Sequence, residues 1–128
     1  MENSQTLKGI EAIEKGDFIE AIKILTTAST NDSYIEKNRT NYYLGYCYFN
    51  IRDFEKSKKF AGLFFDSNVS DKLNVKILVL SCLYLNQIEE AKKIINIHLN
   101  NSYYPDDDIL SLYEKIYQQK FTCNQRFP

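Results

Sequence analysis

At 128 residues the chain has the length of one domain and can bury a core of its own. Its formal net charge is -1, so the overall charge gives no reason to expect binding to nucleic acid or to an acidic membrane. Hydrophobic residues make up 44% of the chain and charged residues 26%, a balance typical of a soluble globular protein.

The sequence carries no recognisable targeting signal. Residues 1–5 have neither a basic region nor an apolar run, so we expect no signal peptide. No stretch is apolar for long enough to predict a transmembrane helix. The cysteines at positions 47, 82 and 123 cannot all pair with one another and form no CxxC motif. We therefore expect a reducing, cytoplasmic location.

Hydrophobic residues recur at helical spacing along most of the chain, and no proline precedes residue 105. Short turns are predicted at Gly16-Asp17, Arg52-Asp53 and Asn86-Gln87, and longer loops at 30–33 and 66–70. Seven helices are predicted between these breaks. They cover about residues 3–15, 18 to 27 or 29, 33 or 34 to 50, 54–66, 71–85, 88–100 and 106–119. Residues 121–128 lack periodicity and are predicted to form a flexible tail.

Two of these helices begin with acidic residues suited to capping. Asp17 is a predicted N-cap, with Glu20 three residues later as its capping-box partner. The run Asp106–Asp108 precedes the most regular amphipathic pattern in the chain, where the helix dipole favours negative charge.

Helix pairs recur along the sequence with a nearly constant period. The second helix of each pair carries a small residue, Ala21, Ser57 or Ala91, at successive spacings of 36 and 34 residues. A larger side chain precedes each small residue by three positions; these are Phe18, Phe54 and Ile88. A period near 34 residues is typical of helix–turn–helix repeats, which stack because one pair cannot bury its own apolar face.

The middle pair gives this pattern most clearly. Between residues 41 and 61 it combines Leu44-Gly45 with Tyr48, Ser57 and Ala61. This arrangement resembles the tetratricopeptide family. The resemblance implies an all-α, right-handed superhelical array of antiparallel helix pairs, about seven helices in all. It would occupy residues 1–120, with repeats over about 2–33, 38–70 and 72–104 and a capping helix over 106–119.

In tetratricopeptide arrays the first helix of each pair lines the concave face. The resemblance therefore implies a groove that is aromatic and aliphatic with few charges, suited to an apolar or amphipathic peptide segment. The residues predicted to line this groove are Tyr42, Tyr46, Phe49, Lys76, Ile77, Leu80 and Tyr84. The alternative is that many of these side chains pack between helices and that the seventh helix covers part of the groove.

The sequence offers no group of residues suited to catalysis, to a metal or to another cofactor. His98 is the only histidine, so no second one is available as a ligand or catalytic partner. The run Asp106–Asp108 lacks the alternating ligands and glycine turn of a calcium loop. Lys56, Lys58 and Lys59 are predicted to form a solvated outer face. We expect an interaction adaptor for a protein or peptide partner rather than an enzyme.

One group of tetratricopeptide proteins grips the C-terminal carboxylate of chaperones with Lys, Asn and Arg side chains. The corresponding residues here are Thr6, Ile10, Tyr43, Leu73 and Ile77, none of which matches. A chaperone-tail receptor is therefore not expected. Three other hypotheses stay open: a protein similar to the mitochondrial fission adaptor, a secretion chaperone, and a structural repeat module that self-associates, for example as a homodimer.

Overall fold

The computed structural model describes residues 4–28 and 34–118. All regular structure in these two ranges is helical, in seven helices with no strand. In chain order, α1 to α7 are Ser4–Glu14, Phe18–Ala28, Tyr34–Asn50, Phe54–Phe65, Lys72–Tyr84, Ile88–Asn100 and Asp107–Gln118. The predicted all-helical fold is confirmed. The loop predicted at residues 30–33 and the tail predicted at 121–128 lie outside the described residues.

The three short turns have the same backbone geometry. Gly16, Arg52 and Asn86 adopt left-handed φ angles of 79°, 66° and 62°. In each turn the next residue donates its N–H to a carbonyl five positions earlier. These bonds are Asp17 to Ala12 at 2.9 Å, Asp53 to Tyr48 at 2.9 Å and Gln87 to Cys82 at 2.8 Å. This is the Schellman ending of a helix, which allows the next helix to start at once and to run back along the first.

Acidic side chains cap the N-termini of α2, α4 and α7, whereas Gln87, at the N-cap of α6, makes no side-chain capping bond. The Asp17 carboxylate accepts from the backbone N–H of Glu20 at 3.3 Å, as predicted. Asp53 caps α4 in the same way, at 3.2 Å from the N–H of Lys56. Asp106 accepts from the N–H of Asp108 at 2.8 Å, so the predicted capping role at the start of α7 is also confirmed.

Small residues allow the paired helices to approach closely. Ala21, Ser57 and Ala91 are each completely buried. A β-carbon added at Gly45 would lie 3.0 Å from the backbone nitrogen of Ala61, so a larger residue there would push α3 and α4 apart. The small residues of the repeated pattern therefore lie at helix–helix contacts.

The buried apolar side chains form two clusters. The smaller one joins α1, α2 and α3 through Ala12, Ala21, Leu25, Leu44 and Cys47. The larger one extends from α4 to α7, and α7 contributes Ile109, Leu112 and Ile116 to it. The seventh helix is thus anchored by one apolar face. Among the described residues, no helix is both long enough and apolar enough to cross a bilayer.

Candidate functional site

Tyr42 lies at the middle of α3 among other aromatic rings. Its ring centroid is 4.9 Å from that of Phe64 on α4 and 5.3 Å from that of Tyr43. Burial raises the pKa of the Tyr42 phenol, and the nearby Asp71 carboxylate raises it further. The hydroxyl therefore stays protonated near neutral pH and can donate a hydrogen bond.

Tyr46 and Phe49 lie further along α3 and are both half-buried. The Tyr46 ring meets Phe18 of α2 edge to face, with centroids 6.1 Å apart. Phe49 meets Phe54 of α4 in a similar arrangement at 5.6 Å. Such pairs fix the orientation of the rings, because the ring edges and faces carry opposite partial charges. Both side chains also pack against the larger core cluster.

Tyr84, at the end of α5, belongs to the same aromatic group as Phe49. Its ring stacks on Phe54 with centroids 4.3 Å apart and only 7° between the planes. The guanidinium of Arg52 lies 5.4 Å from the centroid of each of these two rings. Sequence reasoning treated Phe54 only as a packing residue and Arg52 only as a turn residue. In the structure Phe54 connects Phe49 to Tyr84, and Arg52 lies near the Phe54 and Tyr84 rings.

A cavity of about 360 Å³ lies between α5 and α7, and two of the predicted residues line it. Lys76 and Leu80 come from α5, and α7 provides the remaining lining side chains, Asp108, Ser111, Leu112 and Lys115. Leu80 and Leu112 make part of the wall apolar. The other four side chains carry charges or a hydroxyl, so the cavity can bind both apolar and polar groups.

Lys76 is the electrostatic link between the two helices of this cavity. Its ammonium lies 3.3 Å from a carboxylate oxygen of Asp106 and 3.2 Å from one of Asp108. Partial burial opposes the charge of Lys76, but hydrogen bonds to Asp108 and Asp106 outweigh it and raise the lysine pKa. The pKa of Asp106 is lowered, mainly by the backbone N–H of Asp108 and also by Lys76.

The structure departs from the predicted groove in two respects. Ile77 is only 4% exposed and belongs to the larger core cluster, so it is not available to a partner. Its side chain points between the helices because it lies about 100° around α5 from Lys76. The surface around Lys76 also carries more charge than predicted, since Asp108 of α7 and Asp106, the residue before α7, both approach it.

The α7 residues of the cavity were missed by sequence reasoning, although the repeat contains a signal for them. Leu44, Leu78 and Leu112 are spaced by 34 residues each time, and all three are buried. Extending the register by one period gives Leu112 of α7 the position that Leu44 has in α3 and Leu78 has in α5. Residues of α5 and α7 line this cavity together, which leaves open the alternative that the seventh helix covers part of the groove.

The other reactive side chains that the structure describes do not gather into a site. His98 is completely buried, and its Nδ1 donates to the carbonyl of Val69 at 2.7 Å. Burial raises the pKa of the Cys47 thiol to about 12 and that of Cys82 to about 11, which suppresses the reactive thiolate. Among the described residues, no group of three or more His, Cys, Asp or Glu side chains is placed to hold a metal ion.

Comparison with known proteins adds no assignment. No protein-family model matches the chain, and no curated protein matches it either.

Proposed function

We propose that the chain is a tetratricopeptide-like array that serves as a cytoplasmic interaction adaptor and has no enzymatic activity. Its partner is a peptide segment with an apolar or amphipathic face. The segment lies along the surface formed by α3, α5 and α7.

The main observation in favour of a tetratricopeptide-like array is the repeated turn. Left-handed residues at 16, 52 and 86 follow the same 36- and 34-residue spacing as the buried small residues. An unrelated helical bundle has no physical reason to repeat both the turn and the close helix contact at this period. These two features support the proposed family, which in turn supports a stacked arrangement of helix pairs.

The peptide-binding role is supported by the side chains at the proposed surface. Tyr42, Tyr46, Phe49, Leu80 and Tyr84 are all partly exposed, and the described contacts hold the four aromatic rings in place. A preorganised surface loses little conformational entropy when a partner binds. Tyrosines suit such a surface because they bury a ring and still offer a hydroxyl.

Pools of short amphipathic helical peptides with randomised apolar positions would test this role. The immobilised protein should enrich a subset of peptides. Tyr46→Glu and Leu80→Glu should each lower the protein's affinity for the enriched peptides by about tenfold or more. The reason is that residues at the centre of a binding surface typically contribute over 1 kcal/mol to binding. Leu63→Glu, the same exchange at an exposed residue of α4, is the matched control and should leave binding unchanged.

Circular dichroism and thermal unfolding would establish that each variant keeps its helical fold. The proposal fails if no pool is enriched. It also fails if folded Tyr46→Glu and Leu80→Glu proteins bind the enriched peptides as tightly as the Leu63→Glu protein does.

A further inference from the structure

We infer that the cavity between α5 and α7 binds an acidic side chain of the partner segment and that Asp108 competes with this side chain in the free protein. The inference rests on the proposed peptide-binding function and specifies the chemistry of its ligand.

The cavity brings together hydrogen-bond donors from two helices. Ser111 and Lys115 both line it from α7. They are four residues apart, so their side chains lie on one helix face. Lys76 faces them from α5 and lines the same cavity. A carboxylate in this space can accept from the Ser111 hydroxyl and from both ammonium groups.

The two lysines that line the cavity differ in their ion pairs. Lys76 already has two carboxylates within ion-pair distance, those of Asp106 and Asp108. Lys115 has no carboxylate within that distance among residues 4–28 and 34–118. It is nevertheless half-buried, so its charge is less well hydrated than that of a fully exposed lysine. A partner carboxylate would supply the missing opposite charge, whereas a partner ammonium group would be repelled by Lys115.

Asp108 is weakly held where it now lies. Its side chain is 79% exposed, and its carboxylate pairs with Lys76 at 3.2 Å. Exposed ion pairs of this kind contribute little stability, so an incoming carboxylate can take over the contact with Lys76. Until then the negative charge of Asp108 opposes the binding of an acidic ligand.

The apolar part of the wall restricts the ligand further. Leu80 and Leu112 lie beside the charged groups in one cavity. The acidic residue of the partner should therefore be a close neighbour of an apolar residue on the same face of the bound segment. On a helix these two residues would be three or four positions apart.

Three peptide pools would test this chemistry directly. They share the randomised apolar positions and differ only in carrying Glu, Gln or Lys at the position flanking the apolar face. The protein should enrich the Glu pool over the Gln pool by about threefold to fivefold at low ionic strength, as expected for a partly exposed charge pair. The preference should decrease as salt is added.

Substitutions of cavity residues, each compared with the same substitution elsewhere, would show whether the preference for Glu arises in the cavity. Lys115→Gln should abolish the preference for Glu over Gln, whereas Lys23→Gln, the same change at an exposed residue of α2, should keep it. Asp108→Asn should strengthen binding of the Glu peptides by about twofold to threefold, since it removes a competing charge. Asp107→Asn makes the same change in the same helical turn, at a residue outside the cavity lining, and should have a smaller effect.

The possible results separate the two proposals. If the Glu and Gln pools are enriched equally while Leu80→Glu still weakens binding, the acidic ligand is ruled out and the peptide surface remains. Preference for the Lys pool also overturns the inference, as does an Asp108→Asn protein that binds Glu peptides no better than the unmodified protein. If no pool binds, both proposals fall together.

Discussion

The hydroxyl of Ser57 donates a hydrogen bond of 2.9 Å to the backbone carbonyl of Gly45, joining α4 to α3. The Ser81 hydroxyl of α5 donates in turn to Ser57 at 3.2 Å, and both bonds are buried. One small polar residue thus connects three consecutive helices. The contact is possible because Gly45 has no side chain to hold α3 and α4 apart.

Gly45→Ala should destabilise the protein by about 1–3 kcal/mol, the usual cost of overpacking a tight contact. The added β-carbon would meet the backbone of Ala61 at 3.0 Å, and a backbone cannot rotate out of the way. Urea unfolding followed by circular dichroism would measure the loss. Gly62→Ala is the matched control, because a β-carbon there has no neighbour within 4 Å. It should be neutral or stabilise by up to about 1 kcal/mol through helix propensity. Equal effects at the two glycines would contradict the close contact.

Asn86→Gly should stabilise the protein by a few tenths of a kcal/mol up to about 1 kcal/mol, whereas Asn86→Ala should destabilise it. The reason is the left-handed φ of 62°, which glycine adopts freely and alanine does not. Gly16→Ala should be destabilising for the same reason, with φ at 79°. Thermal unfolding of the three variants would check the order. Loss of stability in Asn86→Gly would argue against the described turn.

Asp106 should give the protein a pH-dependent stability. Its pKa lies below the ordinary value of 3.8, mainly because the N–H of Asp108 favours the charged carboxylate. The resulting stabilisation is therefore present above about pH 4 and is lost as the pH falls through the lowered pKa. Asp106→Asn keeps a capping oxygen but removes the charge, so its stability deficit should shrink on acidification.

Urea unfolding at several pH values between neutrality and pH 2 would follow this deficit. Asp107→Asn controls for the general loss of a negative charge at the start of α7. A deficit of Asp106→Asn that stays constant down to pH 2 would show that the carboxylate charge is not stabilised in the folded protein.

Cys47 and Cys82 should react with an aromatic disulfide reagent far more slowly in the native protein than in urea. Both side chains are completely buried, and burial raises their thiol pKa values to about 12 and about 11. A Cys123→Ser variant removes the third thiol from the measurement. We expect labelling of the native protein to be slower by about a hundredfold or more, because the thiolate is the reacting form. Rapid labelling without denaturant would show that the core opens readily.

The helices and turns could be predicted from the sequence because their causes are local. Gly16-Asp17, Arg52-Asp53 and Asn86-Gln87 interrupt helical patterns, and the structure has a turn at each. Capping by Asp17 and Asp106 depends on residues only two or three positions away. Interactions over such short separations depend little on how distant helices pack.

The candidate surface was predicted only in part, because neighbouring residues on one helix can have opposite environments. Lys76 faces the cavity with α7, whereas Ile77, the next residue, is buried in the core. The 34-residue period determines which helix a residue belongs to. A shift of one residue in the alignment of the repeats, however, changes the direction predicted for a side chain by about 100° around the helix. The α3 residues assigned to the groove, Tyr42, Tyr46 and Phe49, are partly exposed.

The sequence by itself thus determined the helices, their turns and the positions of the small residues between them. Only the tertiary structure decided which side chains of α5 meet α7. Lys76 and Asp108 are 32 residues apart, and nothing local links them. They are brought together because Ile109, Leu112 and Ile116 bury one face of α7 in the larger core, and this packing leaves the charged residues around the cavity.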